Sequence, residues 1–399
     1  MQGSLVHINN SVTASKARVD ADKNTSIEEM KELIARVDPV LRRSKIYKAK
    51  ADLNGITVEL VTNVFHQFDF WQENWIPATS DAKSKATLYS VNGVKGLAPK
   101  AFYCAPLNTS LFVNTEYYGQ CKSWALGMTA AIFAKEFNTH SIHGALASLN
   151  GKGVVIIAPT GTGKTTQAFK LFQLPKGKLV GDDWVYIAHS KEGKRTSNLV
   201  AAQPEKSLYM RTETEKDQMW LRPIFDKCKL ENVLTDQHQC DSLVGNDSCK
   251  QNGGKCILSG TWTDHCYYGF ANARALVPRE ALLGPEKVTD KARVKLLILL
   301  RRDNESPAEV KLNSDQAIDV LKKGEYQIRP GAGPKEQWGT VGYESWYNPY
   351  LLEKNDEGQE KYFRSMIEDW KIPCLLLNTG VETVEQTHTR IATALKKVS

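Results

Sequence analysis

The stretch from Gly153 to Phe172 limits the possible folds more than any other part of the chain. Gly153-Val-Val-Ile-Ile-Ala158 is an unbroken apolar run of the kind that forms a strand buried on both faces. A loop follows, and Thr165-Thr-Gln-Ala-Phe-Lys-Leu-Phe172 then reads as a helix. Between them, Ala158-Pro-Thr-Gly-Thr-Gly163-Lys164-Thr165 fits the spacing of a phosphate-binding loop, with Ala158 where its first glycine would stand. Gly161 and Gly163 allow the backbone to curl so that its N–H groups converge on phosphate oxygens, and the helix that starts there adds its partial positive charge. Lys164 is expected to reach the β- and γ-phosphates and the Thr165 hydroxyl to ligate a divalent metal. Thr160, Gly161, Thr162, Gly163 and Thr166 complete the expected nucleotide-binding set. A glycine-rich turn alone would be a weak signal; here the strand before it and the helix after it supply the context the motif requires.

Such a loop needs a carboxylate near the metal. Asp182-Asp183 comes 18 and 19 residues after Lys164, at the end of the short apolar strand Lys178-Leu-Val-Gly181. One aspartate is expected to hold the metal, and the other to polarise the attacking group or hold a metal-bound water. The bland alternative is a solvated turn capped by Asp182.

The rest of the chain reads as two lobes, for which 399 residues leave room. Residues 1–45 are polar and suggest an appendage with one helix over Ser26–Val37, Ser26 as N-cap and Glu29 three residues on. Residues 46–140 read as a smaller α+β lobe, with strands at Ile56–Thr62, Ala86–Val91 and Leu111–Asn114 and a helix over Ser123–Phe137. Residues 141–399 read as an α/β nucleotide-binding kinase domain around a central mixed sheet. Its further strands are expected at Val294–Leu300 and Cys374–Leu377, and its helices near Ser314–Lys323 and Thr383–Lys397.

A cysteine-rich segment, about 212–268, looks like an insertion. Its Cys228, Cys240, Cys249, Cys256 and Cys266, with His238 and His265, leave zinc, disulfides and unpaired thiols all open, because no C-x-x-C pair is present. No run of 18 apolar residues predicts a membrane span, and the polar N-terminus lacks the apolar core of a secretory signal, so a cytoplasmic location is expected. The net charge of +7 is spread along the chain and suits anionic ligands. Without zinc-finger spacing, an RNA-binding motif or a basic tract, nucleic acid is not an expected partner.

With Gly181-Asp-Asp183 in place, the sequence resembles a divergent, shortened member of the phosphoenolpyruvate carboxykinase family, whose P-loop domain is related to HPr kinase. Thr160-Gly-Thr-Gly-Lys-Thr-Thr166 is similar to that family's SGTGKTT loop, and Gly181-Asp-Asp183 to its metal-binding motif. Ala202-Gln-Pro-Glu205 is similar to an NPE segment of the GTP-dependent branch, and Asn272-Ala-Arg274 to an NTR or NSR motif. Lys311–Ala317 resembles an LTPEQA helix start, and Leu377-Asn-Thr-Gly380 an LVNTG strand end. His388-Thr389-Arg390 resembles a DTRA-like helix near the adenine. Thr115–Lys122 is similar to a TEYAGEMK segment, and His143 falls where the family has a metal-binding histidine. The order of these motifs is kept over roughly residues 58–399.

The resemblance implies ATP or GTP with Mg²⁺ and/or Mn²⁺. It places Arg274 as the cation on the transferring phosphate, His143 as metal ligand or general base, and Thr389 beside the nucleotide; Lys122 is a candidate contact to substrate or phosphate, and Glu205 and Thr389 are lesser candidates. Two departures bear on activity. The family's tandem lysine becomes Lys122-Ser123, which removes a ligand of the second metal, and no arginine segment for a dicarboxylate is found. The expected function is therefore a metal-dependent kinase acting on a hydroxyl of a small molecule or protein. A phosphoenolpyruvate carboxykinase with a rebuilt acid site and a non-catalytic nucleotide-binding regulator are the alternatives.

Overall fold

Alternation in Ile56-Thr-Val-Glu-Leu-Val-Thr62 buries Ile56, Val58 and Leu60 on one face of a strand, and the all-apolar Val154–Ile157 is buried on both faces. These two patterns mark two sheets in a computed structural model that describes residues 12–15, 17–159, 161–192, 196–216, 218–235, 265–267, 270, 272–328 and 335–398. Thr160, His238, Cys240, Cys249 and Cys256 lie outside the described residues. The chain is mixed α/β and divides into two units, residues 1–125 with 205–282, and residues 126–204 with 283–399.

In the first unit a mixed seven-stranded sheet runs in the order Asp20–Asp22, Lys100–Cys104, Thr109–Val113, Ala86–Val91, Ile56–Thr62, Tyr47–Leu53, Ile76–Pro77. The segment expected as an appendage contributes the helix Ile27–Arg43, which Ser26 caps by accepting from the Glu29 N–H at 3.1 Å. Met30, Leu33, Val37 and Leu41 recur at helical spacing and pack with Val91, Phe102, Leu111 and Val113, so this helix belongs to the core of the unit. A second, four-stranded sheet orders Val12–Thr13, Lys229–Glu231, Arg274–Pro278 and Ser207–Arg211.

The helix expected from Ser123 begins instead at Tyr118 and runs to Glu136. Gly119 lowers the local helix propensity, but tertiary contacts override it. The Tyr118 N–H donates to the Glu231 carboxylate at 2.9 Å, so an acidic group from a strand 113 residues away takes the place of a local cap.

The second unit is built on a nine-stranded mixed sheet. Its main order is Gly177–Gly181, Ala145–Leu149, Lys152–Ile157, Lys291–Arg301, Thr196–Ala202, Trp184–Glu192, His140–His143. Cys374–Asn378 pairs in parallel with the far end of Lys291–Arg301 and antiparallel with Glu309–Leu312. Only Gly144 separates the edge strand His140–His143 from Ala145–Leu149, near the opposite edge, and only Asp182-Asp183 separates Gly177–Gly181 from Trp184–Glu192. Consecutive Cα atoms are about 3.8 Å apart, so the sheet must curl until its two edges nearly meet at this end. The Gly144 N–H donates to the Asp183 carbonyl across that meeting point at 3.2 Å.

One face of the sheet packs Val155, Ile157, Leu297 and Leu299 against Ala317 and Leu321 of the helix Ser314–Lys323 and Phe363 and Met366 of the helix Asp356–Glu368. Reciprocal capping boxes start Ser314–Lys323 (Asn313 with Gln316) and Val384–Lys397 (Thr383 with Gln386). Among the described residues no disulfide forms, and Cys104, Cys121, Cys228, Cys266 and Cys374 are all buried. No helix of the described residues is long and apolar enough to cross a membrane.

Candidate phosphate-binding site

The phosphate-loop candidate leaves the buried strand Lys152–Ile157 and enters the helix Lys164–Gln173. Gly161 and Gly163 have φ of 82° and 99°, which L-residues seldom adopt, and a side chain at either would meet no atom within 4 Å. Conformation rather than packing therefore demands glycine at both, and the space above the loop is open. Gly163 is the N-cap of the helix and, having no side chain, makes no side-chain cap hydrogen bond there. Thr162 braces the loop through its hydroxyl, which donates to the Pro159 carbonyl at 2.7 Å. Thr379 ties the loop to the end of Cys374–Asn378 by donating to the Thr162 carbonyl at 3.0 Å, and Arg302 donates to the Gly161 carbonyl at 3.4 Å.

The curl of the sheet brings the other candidates to this loop. The Thr165 hydroxyl donates to Asp182 Oδ2 at 2.8 Å. His143 pairs across the ladder with Trp184, which places its ring beside Asp183, with Nε2 3.4 Å from Asp183 Oδ1. Lys164 Nζ lies 3.0 Å from the same Nε2. An ammonium can only donate, so His143 Nε2 accepts there. On the other side of the ring, Nδ1 lies 2.7 Å from the Tyr347 carbonyl, which can only accept, so Nδ1 carries the proton. The ring is therefore neutral, in the Nδ1–H form. Burial, and then the Lys164 ammonium, push the His143 pKa below the ordinary imidazole value against the opposing pull of Asp183 and the Tyr347 carbonyl. Tyr350 closes one side of the ring edge-on at 5.1 Å.

The structure thus brings Lys164, Thr165, Asp182, Asp183 and His143 together in the second unit. Of the other candidates, Thr389 belongs to the second unit, and Arg274, Lys122 and Glu205 belong to the first. The Thr389 hydroxyl donates to the Glu385 carbonyl one turn back, and Thr389 lines a cavity of about 780 Å³ to which none of the described loop residues contributes. Arg274, in the first unit, is 8% exposed, donates to the Ala273 carbonyl at 2.9 Å and lies over the Tyr209 ring. Lys122, in the same unit, is buried in an ion pair with Glu205 at 3.0 Å, and the Ser123 hydroxyl donates to the Gly119 carbonyl of its own helix at 2.7 Å.

Four contributors were not named as site residues from the sequence: Tyr347, Tyr350, Arg302 and Thr379, the last of which lies within the quoted Leu377–Gly380 strand end. The aromatic density of Trp346-Tyr-Asn-Pro-Tyr350 was the available signal for the first two. A second cavity, of about 420 Å³, abuts the loop at Pro159 and Thr162 and is also lined by Arg301, Arg302, Tyr326 and Gln327. Among the described residues no group of three or more His, Cys, Asp or Glu is placed to hold a metal ion.

No family model matches the chain. No curated protein matches it either. Among solved structures the chain is similar to the Hpr(Ser) kinase/phosphatase from Coxiella burnetii, at 11% identity over 64% of this chain and 88% of that one, with a TM-score of 0.26. At that similarity neither fold nor activity transfers.

Proposed function

We propose that the second unit binds a nucleoside triphosphate, ATP or GTP, with Mg²⁺ or Mn²⁺, and transfers its γ-phosphate to a hydroxyl of a small molecule or protein, as a phosphoenolpyruvate carboxykinase-like P-loop domain would. The observation that carries this reading is the convergence of Lys164, Thr165, Asp182, Asp183 and His143 on one glycine loop at a helix N-terminus. The donor set suits a hard divalent cation, because Thr165 and Asp182 offer oxygen. These two residues would hold the metal, with triphosphate oxygens and water as its other ligands, and the metal would neutralise charge on the phosphates.

The remaining work falls to the chain itself. Backbone N–H groups of the loop and helix start hold the phosphates. Lys164 moves from the neutral His143 nitrogen to the phosphate oxygens, whose negative charge attracts an ammonium more strongly. His143 Nε2, then open, takes the proton of the acceptor hydroxyl. The acceptor oxygen bonds to the γ-phosphorus as the bond to the leaving nucleoside diphosphate breaks. The cavity beside Pro159 and Thr162 gives the nucleoside room next to the phosphates. The carboxykinase alternative gains no support from Ser123, whose hydroxyl is bonded within its own helix.

The test is to follow a γ-labelled triphosphate with Mg²⁺ and a panel of hydroxyl acceptors, water included. The reading expects label to leave the nucleotide, and His143→Gln to lower kcat by about 10²–10⁴-fold while triphosphate binding persists. A triphosphate that binds but never gives up its label would reduce the protein to a nucleotide binder.

A further inference from the structure

Two consecutive bulky residues adopt a left-handed backbone: Trp346 at φ 61° and ψ 10°, and Tyr347 at φ 49°. An aromatic side chain gains nothing from this conformation, so something must hold it there. Both residues are nearly fully buried. Trp346 Nε1 donates to Asp356 at 2.9 Å, and its ring stacks on Phe363 with 3° between the planes. The Tyr347 hydroxyl donates to the Glu325 carbonyl at 3.0 Å. The turn is seated on Gly324, whose C–H face lies so close to the Glu344 carbonyl that a Cβ would fall 1.8 Å from it. This anchored turn points the Tyr347 carbonyl at His143 Nδ1, 2.7 Å away and 204 residues distant in sequence.

We propose that the Trp346-Tyr347 turn is a positioning device that locks His143 in its Nδ1–H form and so keeps Nε2 bare toward Lys164 and Asp183. While Lys164 stays 3.0 Å from Nε2 its ammonium also favours a bare Nε2, but once Lys164 moves to the phosphates the turn alone holds that form. Asp183, 3.4 Å from Nε2, rewards a proton on that nitrogen, and a neutral imidazole left to itself favours the same form. A proton on Nε2 would leave Nδ1 and the Tyr347 carbonyl facing each other as two acceptors, and the anchored backbone does not let the carbonyl turn away. Trp346 and Tyr347 thus act through His143, as positioning residues. The inference rests on the phosphotransfer reading for its purpose, since a bare Nε2 is what can accept a hydroxyl proton, but its test needs no turnover.

Uniformly ¹⁵N-histidine-labelled full-length protein at about pH 8, above the ordinary imidazole range, reports which ring nitrogen carries the proton; His143→Gln assigns the signal. The wild type is expected to show Nδ1 protonated and Nε2 bare, and an Nε2–H ring overturns the proposal. In a Lys164→Met background, which removes the ammonium that also favours a bare Nε2, Trp346→Ala takes away the indole bond and the stack and is expected to turn the Nδ1–H form from the dominant one into a minority, with a cooperative melt retained. A folded Lys164→Met/Trp346→Ala protein that keeps the Nδ1–H form also overturns it, as does a Lys164→Met protein that has already lost that form. Should that double variant fail to fold, Tyr347→Phe in the same Lys164→Met background decides: it keeps the ring and loses only the bond to Glu325, and a partial shift toward Nε2–H supports the proposal, whereas none refutes it.

Discussion

Replacing Lys122 with methionine should destabilise the first unit rather than disable a site. Lys122 and Glu205 are 1% and 2% exposed, and their charged atoms are 3.0 Å apart, with the Asn74 amide donating to the same carboxylate oxygen at 3.2 Å. At an effective dielectric of about 20, that separation corresponds to roughly 5–6 kcal/mol of attraction, set against the cost of removing two charges from water. Lys122→Met keeps the length of the side chain and removes only the ammonium, so the loss is that of a buried carboxylate without this cation, about 3–5 kcal/mol. In a unit of roughly two hundred residues each kcal/mol lowers the melting midpoint by about 2–4 °C, so a drop of roughly 6–20 °C is expected. Scanning calorimetry of the wild type, Lys122→Met, Glu205→Gln and the double variant measures this. The double variant should lose clearly less than the sum of the singles, because both charges of the pair are then gone. A Lys122→Met protein that melts within a degree or two of the wild type but loses activity would refute the structural role and return Lys122 to the list of substrate contacts.

Three further predictions follow from the same geometry. Because the His143 pKa is held below the ordinary imidazole value and the base form is the active one, turnover should be flat above about pH 6.5 and fall only at lower pH. A pH–rate profile with its acidic limb centred above that value would contradict the assignment. Gly163→Ala puts a side chain at φ 99°, so triphosphate affinity measured by calorimetry should fall by about tenfold or more while the core strands stay intact. Burial alone would raise the Glu231 carboxyl, but donors from His66, Ser15 and Tyr209 outweigh it and hold it below its ordinary value. Its stabilising contribution is therefore complete above the unfolded-state value and is lost as the pH falls through the lower folded one. Glu231→Ala should lower the melting midpoint at pH 7 and flatten its decline in acid, and identical acid profiles would count against this account.

The parts of the fold legible in the sequence are those set by neighbours in the chain. The apolar run at Val154–Ile157, the glycines at 161 and 163 and the helix start at Lys164 are local signals, and the structure has a strand, a left-handed turn and a helix there. Ser314–Lys323 and the helix after Thr383 were legible for the same reason, since their caps lie within three residues. What escaped depends on contacts across the chain. The early start at Tyr118 rests on Glu231, the burial of Ile27–Arg43 rests on strands some fifty or more residues later, and the tautomer of His143 rests on Tyr347. Asp182-Asp183 was legible as a carboxylate pair, but its division into one residue beside Thr165 and one beside His143 follows from the curl of the sheet, which no local pattern records.

The central claim is that the loop from Ala158 to Thr166 is a metal-dependent triphosphate site. Calorimetric titration of ATP and GTP into the wild type and Lys164→Ala, each with Mg²⁺ and with the metal chelated, tests it most directly. The account predicts saturable, metal-dependent binding of at least one triphosphate to the wild type, weakened about tenfold or more in Lys164→Ala. Absence of binding, or equal binding by both proteins, would contradict it.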